Sequence, residues 1–233
     1  MKKLISFIQK TFFDDLEQME KIGFPLALLL VAYGFFLSMI NQPYFQGIYT
    51  VRNGFLCSLQ QLMLFSLMIL CLVRAGRGLS HKNGKQFFLY SIFALMFLFG
   101  FGEKIRWGQF IFELSIPEFF YKNNTQGQIT LHNLKFGDFS VNKVIFGSFL
   151  AIIVSLYSLL LPFLYAKNIG PIRKLSDSFG LPVPKTTQIF WYILLVVPAL
   201  LIPDSKRGEV VQLAGVWSFA MFYAFPRNKK ALV

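Results

Sequence analysis

The sequence predicts an all-α fold, a polytopic transmembrane helical bundle of about six spans with an N-terminal amphipathic interfacial helix. Three observations predict it. Hydrophobic residues make up 55% of the chain and charged residues only 15%, against about 25% charged in a water-soluble domain. The apolar residues come in blocks close to the roughly 20 that a helix needs to cross a hydrocarbon core about 30 Å thick. The lysines and arginines mostly flank these blocks and leave them uninterrupted.

Residues 1–22 are expected to form the interfacial helix. Ile5, Ile8, Phe12, Leu16 and Met19 recur at helical spacing on one face, and Leu4 and Phe13 widen the stripe. Asp14 and Asp15 break the apolar run that a signal peptide would need. A helix lying on the membrane surface fits this pattern; a docking helix for a partner protein is the alternative.

Residues 23–233 are then a single transmembrane bundle. Its apolar stretches are Phe24–Ile40, Phe55–Val73, Phe87–Gly102, Val144–Tyr165, Thr186–Ile202 and Glu209–Phe225. Pro162 and Pro198 fall inside two of them and are expected to kink those helices. Cys57 and Cys71 share the second stretch, about 21 Å apart along a helix, which is beyond disulfide reach. They read as buried packing residues. The connection from Ala166 to Lys185, rich in proline, glycine and basic residues, reads as an ordered cytoplasmic loop.

Orientation follows from the basic residues. Fifteen of the 23 lysines and arginines lie in the N-terminal segment, the second and fourth connections and the tail. This places both termini in the cytoplasm and a long loop, at about residues 103–143, outside. The net charge of +12 therefore reads as topology and lipid headgroup contact, and not as nucleic-acid binding. No Gly-rich phosphate loop, serine elbow or zinc-ligand spacing is present, so no metal or cofactor is expected.

The chemistry-bearing residues concentrate at the end of the third stretch. That helix is expected to run on through Glu103, Arg106, Trp107 and Gln109 to Phe112, because no proline intervenes before Pro117. An ionisable residue at such a depth marks function or a buried pair. Glu103 and Arg106, at i and i+3, are expected to pair, with Trp107 on the same face; an interfacial ion pair with an anchoring tryptophan is the plainer reading. Asn41, Gln42, Arg52, Asn53, Gln60, Gln61, Glu209 and Gln212 should lie at the same end, and a cavity opening outward between the second, third and sixth helices would gather them. His132, one of two histidines, lies in the long loop. Glu103 and His132 are the candidate catalytic pair. Arg106, Trp107, Gln109, Asn124, Gln126, Asn133, Glu209 and Gln212 are the candidate binding residues.

The run from Glu103 to Leu134 resembles a signature of uncharacterised bacterial multipass membrane proteins, roughly E-E-I-S-W-G-Q-R-I-F-G, then T-P, then N-x-Q-G-E-x-x-L-H-N. Glu103, Ile105, Trp107, Gly108, Gln109, Ile111 and Phe112 match its first part. Pro117, Asn124, Gln126, Gly127, Leu131, His132 and Asn133 match the rest. Lys104, Arg106 and Gln128 depart from it. The resemblance implies a multispan protein of a bacterial inner membrane and brings no activity with it.

Three functions fit. The first is a cell-envelope accessory or binding protein whose outward polar site takes a lipid or glycan headgroup or a partner protein. The second is a membrane-embedded enzyme acting on a lipid-linked substrate, with Glu103 and His132 as acid and base. A small transporter ranks third, because paired broken helices and mid-membrane acidic residues are missing from the sequence.

Overall fold

The computed structural model describes residues 12–137, 139–141 and 150–232. Residues 1–11, which carry half of the expected interfacial helix, lie outside the described residues, as do 142–149 at the start of the fourth apolar stretch.

The chain is helical, as the composition requires. Helix α1 spans Gln18–Ile40, α2 Phe55–Ser80 and α3 Gly84–Lys104. These three are long and apolar enough to cross a membrane. A short helix, α4, covers Glu118–Asn123. The fourth apolar stretch contains α5 (Leu150–Ser155), a π-helical turn at Leu156–Leu160 and α6 (Leu161–Ala166). It then bends by 117° into α7 (Gly170–Phe179), and the bent pair is apolar enough to make a fourth span. Helices α8 (Thr186–Leu200) and α9 (Arg207–Ala224) complete the bundle. At 15 residues, α8 is about 22 Å long, short of a full crossing.

Local chemistry explains several boundaries. Asn41 ends α1 and its side chain accepts the Tyr44 amide, which starts the next turn. Asn83 caps α3 through the Gln86 amide. Gly180 ends α7 in the left-handed region at φ 63°, where a glycine carries no Cβ penalty. Pro162 stands just after the π-helical turn, and Pro198 lies near the C-terminus of α8, so each marks an irregularity or a helix end.

Two sequence expectations change. The helix of the first apolar stretch starts earlier than Phe24, at Gln18. The third helix stops at Lys104 and does not run on to Phe112. Arg106 and Trp107 take left-handed conformations, φ 55° and 51°, which no continuing helix allows.

The core is built around α9, which buries Val210, Leu213, Ala214, Trp217, Phe222 and Tyr223 on several of its faces. One cluster joins it to α1, α8 and the start of α2 through Phe24, Val31, Leu56, Trp191 and Leu195. Within it, Phe24 stacks on Trp191 at 5.5 Å. A second cluster joins α9 to α2 and α3 through Leu67, Cys71, Tyr90 and Ala94. Cys57 and Cys71 are buried free thiols. Hydrogen-bonded buried carboxylates stand at both ends of the bundle, Glu20 at one and Glu103 at the other, and the segment after α3 folds back onto Glu103. That segment includes a hairpin of β1 (Lys135–Phe136) and β2 (Phe139–Ser140), with Phe136 opposite Phe139.

Candidate functional site

The abrupt end of α3 creates the site. Because Arg106, Trp107 and Gly108 all have positive φ, the chain folds back over the last turn of the helix. The Trp107 ring then lies against Gly102, where an added Cβ would stand 2.8 Å from it. The indole N–H donates to Glu103 Oε1 at 2.7 Å.

Glu103 is buried, 7% exposed, and its carboxylate holds the loop. Oε1 also accepts the Leu131 amide at 3.0 Å. Oε2 accepts the His132 amide at 2.9 Å and faces His132 Nδ1 at 2.6 Å. A carboxylate offers about four lone-pair positions, and here four donors occupy them. The contact with Nδ1 makes that nitrogen the proton-bearing one. The imidazole is one third exposed, with 31% of its side-chain surface accessible.

The rest of the loop is held by the same type of bond. Gln109 is buried and accepts the Ile129 amide at 3.0 Å. Asn124 Oδ1 accepts the Gln126 amide two residues on, at 2.9 Å, which is an Asx turn. Its Nδ2 donates to the Thr130 carbonyl at 2.7 Å and to Thr130 Oγ1 at 3.1 Å. Asn133 Nδ2 donates to Gln126 Oε1 at 3.0 Å and to Thr130 Oγ1 at 3.2 Å. Gly127 supplies a positive φ, 56°, inside the turn. Glu103, Trp107, Gln109, Asn124, Gln126, His132 and Asn133 therefore belong to one clamp that folds residues 105–134 onto the end of α3.

The other candidates fall beside the clamp. Glu103 and Arg106 do not pair: the left-handed turn at Arg106 swings its guanidinium over the Phe110 ring, 4.3 Å from the centroid. Burial and the nearby Arg52 hold that guanidinium below the usual arginine value. Glu209 pairs instead with Lys104 at 3.1 Å, and its carbonyl accepts Gln60 Nε2 at 2.8 Å. These bonds tie α2, α3 and α9 together at one end, as the shared depth of those residues predicts. Gln212 is exposed and stands apart from the clamp. Two surface hollows lie away from these helix ends. One, of about 190 Å³, lies beside the hairpin between Lys122 and Lys135; the other, of about 240 Å³, is an apolar cleft between α2 and α3 near Leu72 and Leu95. Among the described residues, no group of three or more His, Cys, Asp or Glu could hold a metal ion.

Three features escape the sequence reading. Thr130, 1% exposed, is the centre of the Asn124–Asn133 network. Asp204 receives Gln42 at 3.0 Å, Gln46 at 2.7 Å and the Lys206 amide at 2.7 Å. Burial pushes its carboxyl up, but these donors hold it below the usual carboxylate range. At the opposite end of the bundle, Glu20 is fully buried and meets Lys185 Nζ and Gln188 Nε2, the latter at 2.6 Å. The sequence signal for Thr130 is its place after an Asn-x-Gln-Gly turn; for the other two, nothing local announces the partner.

The chain matches no protein-family model, no curated protein and no solved structure. The site must be read from its own geometry.

Proposed function

We propose that this chain is a multispan accessory or binding protein of a bacterial inner membrane, with about six spans and both termini in the cytoplasm. Its clamped outer segment meets a lipid or glycan headgroup or a partner protein of the cell envelope, held in place by polar side chains that are themselves buried. One observation carries this reading: the acceptor positions of Glu103 are filled by Trp107, Leu131 and His132. A general base needs a lone pair directed at substrate, and a carboxylate so engaged serves instead to hold a loop in place.

Kinship with the bacterial membrane-protein signature is part of the proposal, and the clamp gives it physical sense. Glu103, Trp107, Gln109, Asn124, Gln126, His132 and Asn133 match that signature, and each contributes a bond to the clamp. The departures fall where the clamp makes no demand on the side chain. Lys104 reaches Glu209, Arg106 covers Phe110, and Gln128 offers the clamp its backbone amide, 3.4 Å from Asn124 Oδ1.

A second reading, an enzyme acting on a lipid-linked substrate, is favoured by the Glu103–His132 contact. A carboxylate bound to one imidazole nitrogen fixes the ring's tautomer and orientation, as in catalytic triads. In that case His132 is the acid–base group and Glu103 its positioning residue. Purification of wild type, Glu103→Gln and His132→Gln in native-lipid nanodiscs, with mass spectrometry of retained lipids and glycans, separates the two readings. The binding reading expects Glu103→Gln to lower abundance and to strip a retained ligand. Normal abundance of both variants, with an altered lipid-linked species accumulating in the membrane, would overturn it in favour of the enzyme.

A further inference from the structure

We propose that the segment following the left-handed turn, residues 110–121 together with the hairpin, is seated in the headgroup–acyl boundary of the bilayer, so that its partner is the lipid surface itself. This rests on the membrane-spanning reading of α1, α2 and α3.

Exposure is the first observation. Ile111, Phe112 and Tyr121 are 68%, 70% and 73% exposed, and Phe110 and Phe119 are 56% and 50% exposed. Large apolar side chains this bare, outside any span, are unusual on a surface facing water. The short helix also meets the hairpin: the Phe119 ring lies 6.3 Å from that of Phe136, tilted at 45°.

Position is the second. The clamp ties this segment to the last turn of α3, through Gln109 to Ile129 and Glu103 to His132, and so holds it at the bundle end where a span leaves the hydrocarbon. The neighbouring span ends at the same level expose their own apolar residues, Ile40 at 62% and Phe55 at 61%. The patch thus continues the lipid-facing surface of the bundle. Chemistry is the third. Aromatic residues favour the membrane–water interface. Lys122 is paired with Glu118 of the segment, so Arg106 over Phe110 and Lys135 of the hairpin are the cations that can reach phosphates while their stems lie on apolar surface.

The test uses the full chain in phosphatidylcholine–phosphatidylglycerol vesicles. Single cysteines replace Ile111, Phe112 or Tyr121 and carry an environment-sensitive fluorophore; Cys57 and Cys71 are buried and stay in place. Leu72→Cys, on the exposed face of α2, is the reference for a lipid-facing position. Nitroxide lipids are expected to quench the three loop probes at least several-fold more than aqueous iodide does. Quenching by iodide and not by lipid at 111, 112 and 121, with Leu72→Cys quenched by lipid, would overturn the proposal and leave the spans intact. Lipid-insensitive Leu72→Cys would instead sink the membrane reading on which it rests. Shielding from both quenchers that disappears on dilution with lipid would mean that a second copy covers the patch, and would also overturn it. Phe112 packs against Gly108, so the Tyr121 probe keeps the test valid should the Phe112 variant disturb the turn.

Discussion

His132 Nδ1 stands 2.6 Å from Glu103 Oε2, across 29 residues of chain, and the same histidine's backbone amide donates to the same oxygen at 2.9 Å. The two bonds fix both the ring and the backbone of His132 to the end of α3. With Trp107 and Leu131 on the other oxygen, a single carboxylate joins a helix end, a left-handed turn and a loop more than twenty residues further on.

Glu103→Gln is expected to destabilise the protein although it keeps size and shape. An amide that turns its NH2 toward Trp107 and Leu131 loses both of those bonds. One that turns it toward His132 can keep the ring by a change of tautomer but sets a donor against the backbone amide, so at least one bond becomes a repulsive contact. Losing charge-assisted bonds at a buried site costs about 1.5–3 kcal/mol. Thermal unfolding in detergent, with limited proteolysis of residues 105–141, checks this. Glu103→Gln and His132→Ala should also be non-additive, with a coupling of about 0.5–3 kcal/mol. Wild-type stability in Glu103→Gln would mean that the clamp does not hold the loop.

Gly102→Ala and Gly100→Ala form a matched pair on α3. A Cβ at residue 102 would meet three atoms of the Trp107 ring at 2.8–2.9 Å, whereas one at residue 100 would meet Leu64 at an ordinary 3.5 Å. Gly102→Ala must therefore push the indole off Glu103, at a cost of about 1–3 kcal/mol. Gly100→Ala should be neutral or stabilising by up to about 1 kcal/mol, the helix-propensity gain of alanine. Melting temperatures of the two variants test this, and equal effects would refute the close-packing account.

Asp204 carries the pH prediction. Its donors outweigh burial, so its folded pKa lies below the unfolded value of about 3.9. A depressed carboxylate contributes stability that is fully present above the unfolded pKa and is lost as pH falls through the folded one. Wild type should therefore be more stable than Asp204→Asn at pH 6–7, and the gap should close as pH falls below about 4. Melting temperature against pH for both proteins measures it. A gap that stays constant down to about pH 2.5 would show that the contribution is not electrostatic.

How much of this could be read in the sequence depends on range. The apolar stretches are helical over nearly all of their described parts, the fifth ending at Leu200 and the sixth at Ala224, because hydrophobic block length is a local signal. Glu103, His132 and their neighbours come together because an ionisable group at the end of an apolar helix must find polar partners wherever they lie. The helix end at Lys104 is not legible: the left-handed turn begins at Arg106 and Trp107, ahead of its one glycine, Gly108, under the pull of the bonds that Glu103 makes. The Glu103–Arg106 pairing failed for the same reason, since i, i+3 spacing brings side chains together only while the helix continues. The amphipathic helix α7, inside what read as a loop, was hidden by Gly170 and Pro171, which open it and do not break it.

The Glu20–Lys185 pair, 165 residues apart, was the least legible feature, and it supports the last prediction. In the sequence Lys185 ends the basic fourth connection and Glu20 falls within the expected surface helix, yet Glu20 is fully buried and Lys185 is 6% exposed. Gln188 completes the site, donating to Glu20 Oε1 and accepting the Lys185 amide at 2.7 Å. Lys185→Met should be strongly destabilising, by about 3–5 kcal/mol, because it leaves a carboxylate in the core without its cation. The double change Glu20→Leu with Lys185→Met removes both charges and should cost less than Lys185→Met alone. That ordering, measured by thermal unfolding of the three proteins, separates a true buried ion pair from two residues that matter only by their volume. If volume were the cause, the double variant would be the least stable of the set, since it replaces two long side chains in one packed site.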